Sequence, residues 1–136
     1  MIEIKEARKK DFEEIRTIIQ RGAREGKILK RNKREIQKLI KERNLLIALD
    51  EEKIIGIVAL DFYSKRISEL RTLYILNEYR SKGAGALLVN AVLKKAEKKK
   101  IKELITITTK ETSTWFKKHG FCEAAHRLKV ALFREI

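Results

Sequence analysis

Apolar positions in the first part of the chain predict one strand followed by a helix. From Ile2 to Ala7, apolar and charged residues alternate, which indicates a short strand. Apolar residues then recur at helical spacing, with Asp11 as the expected N-cap and Glu14 completing a capping box. Gly22 follows the apolar stripe, so the helix is predicted to stop there.

A second helix and a group of three strands follow in the pattern. The helix is predicted over about residues 32–43, with Asn32 as its N-cap and Glu35 at its third position. Three apolar runs come next, and the polar residues 50–53 between the first two are typical of a hairpin. The runs are Leu45–Leu49, Ile54–Leu60 and Ile67–Leu76.

The last part of the chain alternates again between helix and strand. A glycine-bearing loop from Asn77 to Gly85 leads into a helix that ends in three lysines. A buried strand, a short helix stopped by Gly120 and two closing strands are predicted at Leu104–Thr108, Thr112–His119, Phe121–Ala125 and Val130–Phe133. No linker or repeat interrupts the pattern. Residues 1–136 are therefore predicted to form a single domain of the α/β class, a mixed α+β sheet with about four helices packed on it.

The composition changes this picture mainly through its charge. The 136 residues include 33 Lys and Arg against 19 Asp and Glu, a formal net charge of +14. Such an excess suits an anionic partner, and nucleic acid is the first to consider. However, the basic residues are spread along the chain, aromatic residues are few, and no RNA-recognition or zinc signature is present. These features disfavour nucleic acid as the partner.

Cysteine and histidine usage narrows the class of protein further. The single cysteine, Cys122, excludes an intramolecular disulfide framework and suits a reducing, cytoplasmic compartment. His119 and His126 are not at metal-ligand spacing with Cys122, so no metal site is predicted. No apolar run is long enough for a membrane span, and the first residues lack the apolar core of a signal peptide.

The most informative segment is the loop Arg80-Ser81-Lys82-Gly83-Ala84-Gly85, which leaves a strand and enters a helix directly. Its two glycines let a ligand approach the backbone closely. N–H groups at a helix N-terminus suit a phosphate or pyrophosphate, and Arg80 and Lys82 add positive charge at the rim. The segment lacks the Gly-Lys-Ser/Thr of a P-loop and the third glycine of a dinucleotide fingerprint. It is therefore interpreted as an anion-binding loop of another kind.

This loop resembles motif A of the GNAT N-acetyltransferase superfamily, in which Gln or Arg is followed after two residues by Gly, any residue, and Gly or Ala. The segment Trp115-Phe116-Lys117-Lys118-His119-Gly120-Phe121 is similar to the family's aromatic pair, lysine and Gly-Phe helix ending. The order of elements also resembles the GNAT acyl-CoA N-acyltransferase fold over nearly the whole chain. The resemblance implies an acetyltransferase with acetyl-CoA as its donor.

The resemblance also implies where acetyl-CoA is held. The pyrophosphate would lie on the backbone amides of residues 81–86, and the pantetheine arm along the strand end at residues 73–75, beside the strand at 104–108. A backbone N–H at that strand end would donate to the acetyl carbonyl oxygen. The residues carried over as cofactor-binding are Leu73, Tyr74, Ile75, Arg80, Ser81, Lys82, Gly83, Ala84, Gly85, Ala86, Thr109, Trp115, Phe116 and Lys118.

Glu69 is the candidate general base, because it lies eleven residues before Arg80 on the same predicted strand, where many GNAT enzymes carry a glutamate. In the alternative reading, Glu69 faces solvent and pairs with Arg71 or a lysine. Phe116 stands where many members have a tyrosine that acts as the acid. Either Tyr74 or Tyr79 would then donate the proton, or no enzyme group does.

Within the superfamily, the sequence most resembles the acetyltransferase domain of N-acetylglutamate synthases, in a single-domain form. Segments 22–31, 69–73, 104–109 and 114–116 carry this resemblance. It implies glutamate or a similar small acidic amine as the acceptor, in arginine biosynthesis, with Lys30, Arg31 and Arg71 holding its carboxylates. The alternatives that stay open are a peptide or protein N-terminus, another small amine, a non-catalytic CoA binder and a nucleic-acid-binding module. A homodimer stays open as well.

Overall fold

The computed structural model describes residues 1–123 of the chain. Contacts divide the chain into two compact units, Met1–Ile105 and Thr106–Ile136. The first unit contains, in chain order, β1 (Ile2–Glu6), α1 (Phe12–Arg24), α2 (Lys33–Lys41), β2 (Leu45–Asp50), β3 (Lys53–Phe62), β4 (Ile67–Ile75), α3 (Ala84–Lys98) and β5 (Glu103–Ile105). The described part of the second unit contains α4 (Lys110–Lys118). The single domain over residues 1–136 stays a prediction.

The five strands form one mixed sheet in the order β1-β2-β3-β4-β5. Neighbouring strands are antiparallel except β4 and β5, which are parallel. The tight turn between β2 and β3 places both Glu51 and Glu52 at positive φ, as the favoured two-residue hairpin turns require. The predicted hairpin and the predicted mixed sheet are therefore confirmed.

The core of the first unit lies on both faces of this sheet. Buried residues of α1 and α2 pack with one set of strand residues, including Ile47 and Ile57. Side chains along a strand alternate between the two faces of the sheet. Leu46 and Val58, which are next to Ile47 and Ile57 in the sequence and are also buried, therefore face the other side. The apolar stripe of α3, centred on Leu88, is fully buried, and this helix contacts β2, β3 and β4.

The two predicted capping boxes have different outcomes. At α2, the Asn32 side chain accepts the Glu35 N–H at 2.8 Å and the Glu35 carboxylate accepts the Asn32 N–H at 3.0 Å, which confirms the prediction. At α1 the prediction is wrong because both carboxylates have other partners. Asp11 accepts the Arg8 N–H at 2.8 Å, and Glu14 accepts the Ile54 N–H of β3 at 3.1 Å.

The prediction that Gly22 stops α1 is also wrong, because the helix continues to Arg24. Gly22 is a site of close packing: a Cβ atom there would lie 2.8 Å from the Ile28 side chain and 3.0 Å from the Tyr74 ring. Glycine is needed at this position for space and not for a turn.

The end of the described chain differs from the expectation in its boundaries. The predicted strand at Leu104–Thr108 is only Glu103–Ile105, because its register with β4 stops at the pair Glu69–Ile105. The predicted short helix is α4, which begins two residues earlier than expected, after Thr109 as its N-cap. Residues 121–123 are irregular, and the rest of the predicted closing strands lies outside the described residues.

Candidate active site

A β-bulge interrupts β4 just before its end. In the register with β3, Ile57 pairs with Tyr74 but Ala59 pairs with Arg71, so β4 has one extra residue across this interval. Thr72, inside the bulge, has φ +57°. This left-handed backbone is unfavourable for a β-branched residue and is found mainly where the surrounding structure imposes it, often at functional sites.

The bulge lies where β4 separates from β5. The parallel pairing covers only the first three residues of β4, Ile67 to Glu69, although β4 continues to Ile75. Within the first unit, the last residues of β4 pair with β3 alone. Among the strands of this unit, none therefore pairs with residues 73–75 on the β5 side of β4, the strand end predicted to lie along the pantetheine arm.

The segment from Asn77 to Ala86, here called the cofactor loop, connects β4 to α3. A 3-10 turn at Asn77–Tyr79 is followed by Ser81 with φ +66° and by Gly83 with φ +87° as the N-cap of α3. A Cβ atom at Gly83 would meet nothing within 4 Å, so the space in front of this residue is open. The first turn of α3 contains only small and apolar residues, whose side chains cannot cap its N–H groups. The loop therefore presents a helix N-terminus without a side-chain cap, the kind of backbone site that suits a phosphate group.

The two basic residues of the cofactor loop have different roles. Arg80 turns back on the loop, where its Nε donates to the Ile75 carbonyl at 3.1 Å and one terminal nitrogen donates to the Asn77 Oδ1 at 3.1 Å. Lys82 is exposed and lies over the Tyr79 ring, 5.4 Å from its centre. Arg80 thus fixes the loop conformation, while Lys82 supplies charge at its surface.

Tyr74 connects β4 to the C-terminal end of α1. Its side chain is buried, and its hydroxyl donates to the Glu25 Oε1 at 2.7 Å. Burial raises the pKa of Tyr74, and the hydrogen bond from Tyr74 lowers the pKa of Glu25. The hydroxyl of the candidate proton donor Tyr74 is therefore already engaged in a hydrogen bond to Glu25. Its side chain belongs to the core under α1.

Glu69, the candidate base, is buried, with 2% of its surface exposed. The alternative in which it faces solvent is wrong. Its β3 partner in the register is Asp61, so the two carboxylates lie on the same face of the sheet. The Tyr63 hydroxyl donates a hydrogen bond to the Glu69 Oε1.

Two of the three predicted acceptor residues converge on Asp61. Arg31 donates to the Asp61 Oδ2 at 2.8 Å and to the Thr72 Oγ1 at 2.8 Å, and only 7% of its side chain is exposed. Arg71 lies on the same face as Glu69, two residues along β4, with a terminal nitrogen 3.9 Å from the Asp61 Oδ2. Lys30 is exposed and is not among the residues that contact Asp61. We call Arg31, Asp61, Glu69, Arg71 and Thr72 the acceptor cluster.

The remaining cofactor candidates lie in the second unit. The Thr109 side chain accepts the Thr112 N–H at 3.3 Å and caps α4. Trp115 packs edge-on against Phe116, with ring centres 5.0 Å apart, and Phe116 packs against Phe121 at 5.2 Å. Phe116 is buried and Lys118 is exposed. The aromatic pair is therefore the packed centre of the described part of this unit.

The sequence analysis missed four residues that belong to the acceptor cluster or bind a candidate catalytic residue: Glu25, Asp61, Tyr63 and Thr72. Asp61 offered a signal, because it directly follows the apolar run Ile54–Leu60 and belongs to the hairpin that carries Glu69. Glu25 lies 49 residues from its partner Tyr74, and no local pattern joins the two positions. Thr72 is unusual only in its backbone conformation.

Comparison with known proteins settles the family. The profile of the acetyltransferase (GNAT) domain matches residues 15–133. The chain belongs to the GNAT acetyltransferase family. This GNAT domain is an acetyl-CoA-dependent acetyltransferase, as the resemblance implied, and acetyl-CoA is its donor. An uncharacterized N-acetyltransferase of Chlorobaculum tepidum is 32% identical over 120 residues, 88% of this chain and 75% of the relative.

Other relatives of this GNAT chain are longer proteins. It is 26% identical over 98 residues to an amino-acid acetyltransferase of Actinobacillus pleuropneumoniae, covering 71% of this chain but only 22% of the relative. The N-acetylglutamate synthase of Neisseria gonorrhoeae, complexed with CoA and N-acetyl-glutamate, superposes with a TM-score of 0.80 at 22% identity. That match covers 88% of this chain and 28% of the synthase.

A second solved structure is closer in length to this GNAT chain. A protein of Mycobacterium tuberculosis in complex with CoA superposes with a TM-score of 0.79 at 23% identity, over 89% of this chain and 72% of the other. These likenesses confirm the GNAT fold. Among residues 1–123, no helix is both long enough and apolar enough to span a membrane, and no group of histidine, cysteine and acidic residues could hold a metal ion.

Proposed function

We propose that this GNAT enzyme transfers the acetyl group of acetyl-CoA to the α-amine of glutamate or a similar small acidic amino acid, with Glu69 as the general base. The observation that carries the proposal is the acceptor cluster. It brings two arginines and a buried carboxylate to one face of the sheet, next to the bulge of β4. A peptide or protein N-terminus is the second candidate acceptor.

The arginines suit the carboxylates of an amino acid for a geometric reason. A guanidinium offers a planar fork of donors that matches a carboxylate better than an ammonium does. Arg31 is fixed by two hydrogen bonds and is almost completely buried, so its donor directions are preset. Asp61 already accepts from Arg31, and a carboxylate of the acceptor would share or replace this contact. Exposed Lys30 contributes long-range attraction at most.

The donor side of the site uses mainly backbone groups. The amides of residues 81–86 would hold the pyrophosphate of acetyl-CoA, and the end of β4 at Leu73–Ile75 would lie along its pantetheine arm. When bound, acetyl-CoA supplies the acetyl group as a thioester. Thr109, Trp115, Phe116 and Lys118 are carried over from the family resemblance as further proposed cofactor-binding residues. A backbone N–H near the bulge would donate to the acetyl oxygen.

Glu69 would accept the proton that an amine must lose before it can attack. A base must approach the amine within hydrogen-bond distance, directly or through one water molecule. Arg71, two residues along the same face of β4, would bind a carboxylate of the acceptor and so bring its α-amine near Glu69. Tyr74 is the proposed acid only if its hydrogen bond to Glu25 opens during the reaction.

The test is an acceptor panel with purified protein and a free-thiol assay. Glutamate, aspartate, glutamine, a neutral amino acid and a short peptide are compared by kcat/KM, and the acidic amino acids are expected to rank first. Glu69→Gln should lower kcat by roughly 10²- to 10⁴-fold and leave the Kd for CoA unchanged. Glu42→Gln, at an exposed helix end, is the matched control and should keep full activity.

Two results would contradict the proposal. A peptide that exceeds all free amino acids in kcat/KM would favour the second candidate acceptor. An unchanged kcat in Glu69→Gln would remove Glu69 as the base. Arginine biosynthesis as the pathway and a cytoplasmic location belong to the same proposal. They would be tested by complementation of an arginine auxotroph and by fractionation of cells, and a homodimer by sedimentation.

A further inference from the structure

We propose that Tyr63 carries the proton from Glu69 to solvent during each turnover, as a positioning and relay residue next to the base. The inference rests on the proposed role of Glu69. Glu69 is 2% exposed, whereas Tyr63 is 43% exposed, and the Tyr63 hydroxyl donates directly to the Glu69 Oε1. Tyr63, a partly exposed residue, is thus hydrogen-bonded to a buried carboxylate.

The backbone holds Tyr63 in place for this role. Tyr63 directly follows β3, and its N–H donates to the Ile67 carbonyl at 3.0 Å, which closes the turn between β3 and β4. The Ser64 side chain accepts the N–H groups of Arg66 and Ile67 at 3.1 Å each. Tyr63 and Glu69 are therefore fixed relative to each other by one short hairpin.

A buried base needs such a route. A carboxylate that takes a proton from each acceptor must lose it before the next cycle, and burial slows direct exchange with water. A hydroxyl is suited to this transfer because it both donates and accepts. Asp61 lies across from Glu69 on β3 but is paired with Arg31, which makes it a poor acceptor for the same proton.

The proton balance of the reaction follows from this arrangement. The acceptor ammonium gives one proton to Glu69, the C–N bond forms as the C–S bond breaks, and the second proton of the nitrogen goes to the departing sulfur. Protonated Glu69 then donates to the Tyr63 oxygen while the Tyr63 hydroxyl proton passes to water. One proton is released for each amide formed, and both side chains return to their starting state.

The test replaces Tyr63 by Phe, which keeps the ring and removes the relay. We expect kcat to fall roughly tenfold, less than the loss of the base itself costs, with the Kd for CoA unchanged. Added imidazole at constant pH and ionic strength should restore much of kcat in Tyr63→Phe and have little effect on the unaltered enzyme. Tyr63→His, which can still carry a proton, should retain more activity than Tyr63→Phe without imidazole.

Each outcome decides between a relay and a structural contact. An unchanged kcat in Tyr63→Phe overturns the proposal, and so does a loss that imidazole does not restore, because the tyrosine would then only position Glu69. A failure of the proposed role of Glu69 as the base gives a different result from a failure of the relay. If Glu69→Gln keeps full kcat in the same assay, the base is another residue and the relay falls with it.

Discussion

The cofactor loop and the acceptor cluster adjoin the two ends of the β4 bulge but present opposite kinds of surface. The cofactor loop offers backbone N–H groups in front of a glycine with open space, and its Arg80 side chain turns inward. The acceptor cluster offers side chains that already bind one another through Asp61. The cofactor loop is built from backbone groups of one continuous segment. The acceptor cluster is built from side chains that are far apart in the sequence.

Under the proposed function, the cofactor loop and the acceptor cluster would select their ligands in different ways. Backbone amides at a helix N-terminus recognise any phosphate of suitable shape and have few internal partners to lose. Under the proposed function, an acceptor carboxylate would instead have to compete with Asp61 for Arg31. Two arginines against two carboxylates leave the acceptor cluster electrically balanced, so geometry and exchange of partners, rather than excess charge, would set the preference for the acceptor.

Among the variants that test this comparison, Arg31→Lys is expected to have the largest effect. A lysine cannot bind Asp61 and Thr72 at once with the geometry of a guanidinium, so the KM for the acidic acceptor should rise about 10- to 100-fold. Lys30→Arg, at the exposed neighbouring position, is the matched control and should change KM by less than about twofold. The Kd for CoA should stay the same in both variants. Equal KM changes at the two positions would mean that only general charge matters.

An intermediate effect is expected from Gly83→Ala. Its φ of +87° is unfavourable for alanine, which should lower the free energy of unfolding by about 1–2 kcal/mol. Gly26→Ala is the control, because Gly26 also has positive φ, +72°, and open space around it. Calorimetry should show similar losses of stability, whereas the Kd for CoA should rise only in Gly83→Ala. A parallel rise in Gly26→Ala would show that strain alone weakens binding.

The smallest effect is expected from Tyr74→Phe, which removes the hydrogen bond to Glu25 and leaves the ring in the core. The melting temperature should fall by a few degrees near neutral pH. Because that hydrogen bond lowers the pKa of Glu25, its stabilisation is present above the ordinary carboxyl pKa and is lost as the pH falls through the lowered value. The gap between the two melting curves should therefore close in acid.

A kinetic measurement on the same variant bears on the acid. If Tyr74 only holds α1 against β4, kcat in Tyr74→Phe should stay within about twofold of the unaltered enzyme. A loss of the size expected for a general acid, roughly 10²-fold or more, would show that the Tyr74 hydroxyl leaves Glu25 during the reaction.

Local sequence patterns determined the helices and strands of this protein and the cofactor loop. The α2 capping box, the β2–β3 hairpin and the loop from Arg80 to Gly85 depend on residues only a few positions apart. Their signals are therefore readable without the fold. The same locality explains the errors at α1, since Glu14 and Gly22 look like cap and stop residues until their partners Ile54 and Tyr74 are present.

Only the tertiary structure decided which side chains share the acceptor cluster. Arg31 meets Thr72 across 41 positions and Asp61 across 30, and the register of β4 with β3 places Glu69 opposite Asp61. A shift of one residue in that register would move every later side chain of β4 to the other face. The sequence contains Glu69, the arginines and Tyr63, but their meeting depends on strand register, which is a property of the whole sheet.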